Sequence, residues 1–143
     1  MNATQGLVKS YKCDAPITAQ YSAVVVGTSG SSPGYANCTL PAGANAKGFL
    51  GIALETQSVA GRGVAVQKNA IARAIANGAI AAGDRCIIAS AAGDVKSVEA
   101  LIAAGLENPA TEYYVVGRAE EPAVNGQIFA LWLLPETVAL AVS

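Results

Sequence analysis

Short runs of β-branched and other apolar residues recur along this 143-residue chain, and glycine-rich turn signals separate them. Short strands with turns between them are typical of barrels and sandwiches. Runs of this kind occupy residues 23–26, 49–54, 63–67, 86–89, 113–116 and 128–134. Strands do not alternate with helices in this pattern, so it predicts an all-β fold. A chain of this length has room for one core, and we therefore expect a small single-domain barrel or sandwich.

Two segments could be helix or strand. Residues 70–82 are rich in alanine, but they contain Asn77-Gly78, a strong hairpin signal, which favours two short strands flanking that dipeptide. Residues 97–106 predict one helix of one or two turns, because Ser97 can cap it, Glu99 lies in its first turn and Gly105 ends it. We expect at most this one short helix.

Charged residues make up only 13% of the chain, about half the usual share, which favours burial against partners. Nine Lys and Arg face ten Asp and Glu without forming a run, so the basic stripe of a nucleic-acid-binding protein is missing. Residues 128–143 are apolar, but Pro135 and Glu136 leave them short of the roughly 20 uninterrupted residues that span a bilayer. Residues 1–10 lack the pattern of a secretory signal, so synthesis in the cytoplasm is expected. We expect neither nucleic acid nor a membrane among the partners.

The sequence offers little for catalysis. Histidine is absent, which removes the Ser-His-Asp and Cys-His arrangements. Asp84 and Asp94 could form a carboxylate pair, but each follows a glycine, where Asp is a common turn former. Glu120 and Glu121 could hold a cation only if other oxygen ligands converged on them, and a solvated loop is favoured. The chain is therefore predicted not to be an enzyme and to carry no cofactor or metal.

The cysteines and aromatic residues favour structural roles. Cys13, Cys38 and Cys86 are far apart and form no CxxC pair, so buried thiols are expected rather than zinc ligands or disulfides. Phe129 and Trp132 lie in an apolar run, where a core role is favoured over ligand stacking, although strand alternation turns some of that run outward. The adjacent residues 113 and 114, both tyrosine, should split between the inside and outside of one strand.

Six pieces of the chain occur in an order and spacing that resembles one known family. They are residues 15–19 (APITA), 51–54 (GIAL), 61–66 (GRGVAV), 76–84 (ANGAIAAGD), 115–119 (VVGRA) and 128–133 (IFALWL). Together they resemble the head decoration, or capsid cement, proteins of tailed phages. The likeness spans about residues 7–135.

This resemblance implies a non-enzymatic virion protein that binds the outer surface of the mature phage head and stabilises it. It implies an extended N-terminal arm over residues 1–12, whose Lys9, Tyr11 and Lys12 would contact the shell, followed by a β domain over residues 13–136. Removal of residues 1–10 would then weaken shell binding without unfolding the domain. The expected partners are the major capsid protein and further copies of this chain, a trimer being the implied assembly. The apolar tail, residues 137–143, and the serine-rich loop, residues 27–34, depart from the family's simplest form.

Other functions remain open at this point. One is another oligomeric virion component, such as a fibre or tail subunit, which would share the β structure. A second is a non-catalytic β-barrel binding module. A lipoyl or biotinyl carrier is one such module, and it usually presents an exposed hairpin lysine after a methionine. The only methionine here is Met1, which argues against a carrier. A third is a small carboxylate-dependent hydrolase, which needs two acidic groups in one cleft.

Overall fold

Two β-sheets make up nearly all the regular structure in the computed structural model, which describes residues 4–27, 37–105 and 112–139. Five strands close a barrel in the order β2-β4-β3-β5-β6, and six form a second sheet in the order β1-β7-β11-β10-β8-β9. The strands are β1 Thr4–Gln5, β2 Val8–Cys13, β3 Ala23–Val26, β4 Asn37–Thr39, β5 Phe49–Ala53, β6 Gly63–Gln67, β7 Ala70–Ile75, β8 Arg85–Ile88, β9 Val95–Ser97, β10 Glu112–Ala119 and β11 Ile128–Ala139. The predicted all-β, single-domain fold is confirmed.

The barrel strands alternate between its interior and its outer surface, and on β3 and β5 that outer surface packs against the second sheet. Val64 and Val66 of β6 are fully buried, and they pack with Tyr11 and Cys13 of β2. β2 pairs antiparallel with β6 and parallel with β4, which closes the barrel. A Cβ atom at Gly51 would lie 2.2 Å from the Gln67 carbonyl oxygen, so the close approach of β5 to β6 requires glycine there.

The second sheet packs its inner face on the barrel. Ala72 and Ala74 of β7 lie opposite Leu131 and Phe129 of β11, so small side chains make room for large ones across the pair. These four residues belong to a core cluster that also contains Ile52 of the barrel. The two sheets therefore share one cluster of buried side chains, beside the separate cluster inside the barrel.

The short helix α1 spans Val98–Ala103, inside the predicted range of residues 97–106. The Ser97 hydroxyl accepts a hydrogen bond from the Ala100 N–H at 3.0 Å, which satisfies one of the free donors of the first turn. Glu99 lies in that turn and accepts hydrogen bonds from the backbone N–H and the Nε–H of Arg85, at 2.7 and 2.6 Å. Gly105, with φ of 83°, follows the helix end.

One strand prediction near Asn77-Gly78 is wrong. β7 precedes this turn as expected, but residues 79–82 form no strand, and only Ile80 makes an isolated bridge, to Ala123. The chain turns again at once, because Gly83 has φ of 86° and the Asp84 carboxylate accepts a hydrogen bond from the Ala81 N–H at 3.0 Å. Too few residues separate the two turns for a second ladder to form.

The N-terminal segment also differs from its prediction. Residues 8–12, expected to be part of an extended arm, form most of β2, and β1 pairs with β7 of the second sheet. The physical reason is that Tyr11 and Cys13 supply buried side chains to the barrel, which β2 closes. Residues 1–3 of the predicted arm lie outside the described residues.

A similar correction applies to the predicted tail that begins at residue 137. Thr137 and Val138 continue β11, opposite Tyr114 and Tyr113 of β10. The proline and the charge at positions 135 and 136 do not end the strand, because the β10–β11 ladder shifts register between Val115 and Gly117 and resumes at Glu136, opposite Val115. Residues 140–143 of the predicted tail, and residues 28–34 of the serine-rich loop, lie outside the described residues.

Candidate functional site

The three residues predicted to contact a capsid lie on β2. Lys9 and Lys12 are exposed, whereas Tyr11 is 4% exposed and its side chain belongs to the barrel core. Strand alternation places Lys12 on the opposite side of β2 from Tyr11. The structure therefore brings Lys9 and Tyr11 to one side of the strand and leaves Lys12 on the other.

A fourth residue, Lys68, completes this site. Its ammonium group donates a hydrogen bond to the Tyr11 hydroxyl at 2.6 Å and lies 5.2 Å from the centre of the Tyr11 ring. The Lys9 ammonium lies 5.3 Å from the same centre, so one aromatic ring supports two cations. Among the described residues, no carboxylate forms an ion pair with either lysine.

Sequence reasoning missed Lys68 because it lies 57 residues from Tyr11 along the chain. The pairing of Val8 with Gln67 brings the start of β2 to the end of β6, and the Lys68 N–H donates to the Leu7 carbonyl at 2.8 Å. The only local signal was the lysine that ends the alternating run over residues 61–68. That run predicts a strand but not its partner.

The two aspartates considered for catalysis serve as turn formers, as predicted. Asp84 accepts hydrogen bonds from the Ala81 N–H at 3.0 Å and from the Ser97 hydroxyl at 2.6 Å. Asp94 accepts from the Ser90 hydroxyl at 2.6 Å and from the Asn77 amide at 2.9 Å. Each carboxylate is thus engaged in holding its own turn and the element beside it.

The acidic loop before Pro122 has a structural contact of the same kind. The Glu121 carboxylate accepts a hydrogen bond from the Ala130 N–H at 3.0 Å, which ties the loop to β11. In the part of the chain that the structure describes, no three His, Cys, Asp or Glu side chains are grouped to hold a metal ion. Within the same residues, no helix has the length and apolar character needed to cross a bilayer.

All three cysteines are buried and free, as the sequence predicted. Burial, with smaller contributions from the nearby Cys13 and Asp14, raises the pKa of the Cys38 thiol to about 11. Burial, with smaller contributions from Asp84 and Glu99, raises the pKa of the Cys86 thiol to about 12. Because the thiolate is the reactive form, these two thiols are unreactive near neutral pH.

An open cleft of about 220 Å³ lies between the barrel and the β10–β11 pair. Its lining residues are Gly48, Phe49, Tyr114, Val115, Pro135, Glu136 and Thr137. The Lys47 ammonium lies 5.7 Å from the centre of the Tyr114 ring beside it. The cleft combines an aromatic surface with one carboxylate and one nearby cation.

The aromatic residues of β10 and β11 divide between core and surface. Phe129 is fully buried, and Tyr113 is buried while Tyr114 is half-buried, as predicted. The core role favoured for Trp132 is wrong, since this side chain is 45% exposed. The side chains of Phe129, Leu131 and Leu133 fill the inner face of β11, so alternation turns position 132 outward.

Comparison of the sequence with protein-family models and with curated protein sequences finds no match. Comparison with solved structures finds a similar fold in the head fiber gp8.5 N base of bacteriophage phi29. The two chains share 16% sequence identity at a TM-score of 0.59, and the match covers 96% of this chain and 98% of that one. The similarity therefore extends over nearly the full length of both chains.

Proposed function

We propose that this protein is a non-enzymatic structural component of a phage virion, attached as a homo-oligomer to the outer surface of the head. The observation that carries the proposal is the fold shared with a phage head fiber base over nearly the full length of both chains. A second, independent line of support is the resemblance of residues 7–135 to head decoration proteins. Both lines support a structural protein of a phage virion, and attachment to the outside of the head is the part that we propose.

Two finer functions fit this proposal. The first is a decoration protein that stabilises the mature shell, which the sequence resemblance favours. The second is the base of a head fibre, which the structural similarity favours at least as strongly. The two functions share one physical requirement, a surface that recognises the assembled shell.

Attachment to a shell needs no catalytic group. A protein that binds the assembled shell but not its free subunits stabilises the shell by mass action, in proportion to RT ln(1 + [L]/Kd) per site. In an oligomer the second and third contacts are intramolecular, so individually weak contacts combine into stable attachment.

We place the shell contact on the side of the barrel formed by β2 and the end of β6. Lys9 is exposed there and Lys68 lies beside it on the Tyr11 ring, whereas Lys12 is exposed on the opposite side of the same strand. The Lys9 and Lys68 ammonium groups would recognise carboxylates of the major capsid protein. Tyr11 is too buried to contribute much contact area, and its role would be to position the two lysines beside it.

Cryo-electron microscopy of virions assembled with and without this protein tests the proposal. A decoration protein would account for regular protrusions across the shell lattice, and a fibre base for the feet of fibres that project from the head. Either result supports attachment to the outside of the head and separates the two finer functions. Density on the tail or inside the shell, or no difference between the two kinds of particle, would contradict the proposal.

A further inference from the structure

The outer surface of the six-stranded sheet carries a group of large apolar side chains. Ile128, Trp132 and Leu134 of β11 are 42%, 45% and 40% exposed. On the neighbouring strand β7, Ile71 and Ile75 are half-buried. We call these five residues the outer apolar face.

Strand register sets the apolar side chains of this face in pairs. Ile128 lies directly opposite Ile75, and Trp132 directly opposite Ile71. Directly paired residues point to the same side of a sheet, so each pair packs side by side on the surface. Between the two pairs lie Ala130, which is 2% exposed, and the exposed Arg73 opposite it. The apolar side chains thus form two pairs along the middle strands of the sheet, with the chain's only tryptophan in one of them.

Charged residues of both signs lie on or beside the outer apolar face. Arg118 lies directly opposite Trp132, and its guanidinium is 3.5 Å from the Glu136 carboxylate. Both side chains of that ion pair stay about two fifths exposed, at 42% and 39%. Arg73 is exposed between Ile71 and Ile75, where its guanidinium lies 5.8 Å from the centre of the Tyr21 ring. The outer apolar face thus has two arginines and one glutamate on it or beside it.

We propose that the outer apolar face binds a second copy of this chain. Charge complementarity favours a copy over another partner: a partner of one sign would match either the arginines or the glutamate, whereas a copy carries both. Exposed ion pairs contribute little to stability, so Arg118 and Glu136 can exchange partners across such an interface. The net charge of −1 adds almost no repulsion between copies.

The composition of the face matches the centre of a protein–protein interface. Interface centres are enriched in aromatic side chains and arginine, and a tryptophan in such a position often dominates the binding energy. A stable interface covers about 800 Å² on each partner, more than five side chains supply, so neighbouring polar residues would form its outer part. The barrel surface around Lys9 and Lys12 stays available for another partner.

This inference deepens the proposed homo-oligomeric role, but its test is independent of any shell. Because Trp132 is the chain's only tryptophan, its fluorescence reports on the proposed contact without a label. On dilution of the purified protein, the emission maximum should shift to longer wavelength over the concentration range in which sedimentation velocity shows the oligomer dissociating. A wild-type protein that is monomeric up to about 100 µM, far above the Kd expected of a stable interface, would overturn the inference. So would an oligomer whose tryptophan emission does not change when it dissociates.

Two matched substitutions locate the contact. Trp132→Glu places a charge in the outer apolar face and should raise the dissociation constant at least about thirtyfold, the effect of losing a dominant interface residue. Val59→Glu makes the same charge change at a side chain that is also 45% exposed, on a barrel loop, and should leave association unchanged. Equal association of Trp132→Glu and wild type would overturn the inference.

A third substitution covers the possibility that Trp132→Glu disturbs the fold. Thermal unfolding followed by circular dichroism shows whether each variant still melts cooperatively. If Trp132→Glu does not, Ile128→Gln decides, because it keeps Trp132 in place and removes an apolar contact at the same face. Association weakened in Ile128→Gln supports the inference, and unchanged association contradicts it. A protein that binds the shell without self-associating would leave the proposed virion role standing. A protein that self-associates through this face without binding the shell would leave the interface standing.

Discussion

Single residues decide where strands can approach one another. At Gly117, in the irregular part of the β10–β11 ladder, a Cβ atom would lie 2.2 Å from the carbonyl oxygen of Trp132. At Gly43 a Cβ atom would meet nothing within 4 Å. The two glycines look equivalent in the sequence, because only the opposing strand distinguishes them.

Gly117→Ala should therefore destabilise the protein by about 1–3 kcal/mol, as overpacking in a filled interior does. Gly43→Ala is the matched control and should change the free energy of unfolding by less than about 0.5 kcal/mol. Urea unfolding followed by circular dichroism measures both. Equal effects of the two substitutions would show that the β10–β11 ladder can open at position 117 without loss.

The buried thiols predict a loss of stability at alkaline pH. Burial raises the pKa of Cys86 from its ordinary value of 9.0 to about 12 in the folded protein, so above pH 9 the unfolded chain loses a proton that the folded chain keeps. The unfolded state then binds fewer protons, and the free energy of unfolding falls as pH rises, by up to about 1.4 kcal/mol per pH unit for one thiol. Below pH 9 this contribution is absent.

The measurement is denaturant unfolding of wild type and Cys86→Ala at pH 7.5, 9 and 10. The substitution leaves a small cavity, whose effect is the same at each pH, so the difference between the two proteins isolates the thiol. That difference should shrink between pH 9 and 10 because only wild type loses the thiol contribution. If the free energies of unfolding of the two proteins changed with pH in parallel, the loss of stability would not come from the Cys86 thiol.

Helices and strands were predictable where the sequence pattern that defines them lies within a few residues. β3 and β6 have the predicted bounds, and α1 follows its predicted cap, because turn formers and alternation define them within a few residues. β2 and β4 were not predicted, since the mixed polar sequence of residues 8–12 is stabilised by pairing with a strand more than fifty residues away. β11 is longer than predicted because its last residues pair with β10 beyond the register shift.

The cap of α1 gives a prediction at this scale. Ser97→Ala removes the acceptor for the Ala100 N–H and the donor to Asp84, so it should destabilise the protein by about 1 kcal/mol or more. Ser58→Ala, at an exposed loop position, is the control and should be neutral. Thermal unfolding of both variants beside wild type measures the difference, and equal melting temperatures for all three would argue against the cap.

At the scale of the whole molecule, the two proposed binding surfaces lie on different sheets. The lysines of β2 lie on the barrel, and the outer apolar face lies on the second sheet, so shell binding and self-association can be changed one at a time.

The folded position of β2 also changes the expectation for truncation. Removal of residues 1–10 deletes half of β2 and should unfold the barrel, so this truncation cannot test shell binding.

Charge reversal on β2 tests shell binding without removing a strand. Lys9→Glu with Lys12→Glu should retain cooperative unfolding and reduce co-sedimentation with mature capsids at least about tenfold, with wild-type binding weakening as salt is added. Lys47→Glu with Lys96→Glu makes the same charge change elsewhere and is the control. Equal loss in both pairs would indicate a general effect of net charge, and no loss in either would exclude β2 as the contact.

The sequence by itself determined the all-β class, the buried state of the three cysteines, the aspartate turns and the cap of α1. Each of these depends on side-chain polarity, alternation or turn chemistry within a few residues. Only the tertiary structure decided that residues 8–12 close a barrel, that Lys68 joins Lys9 at Tyr11, and that Trp132 points outward beside Ile71. These features depend on register between distant strands, because a shift of one residue in pairing turns every side chain to the other face.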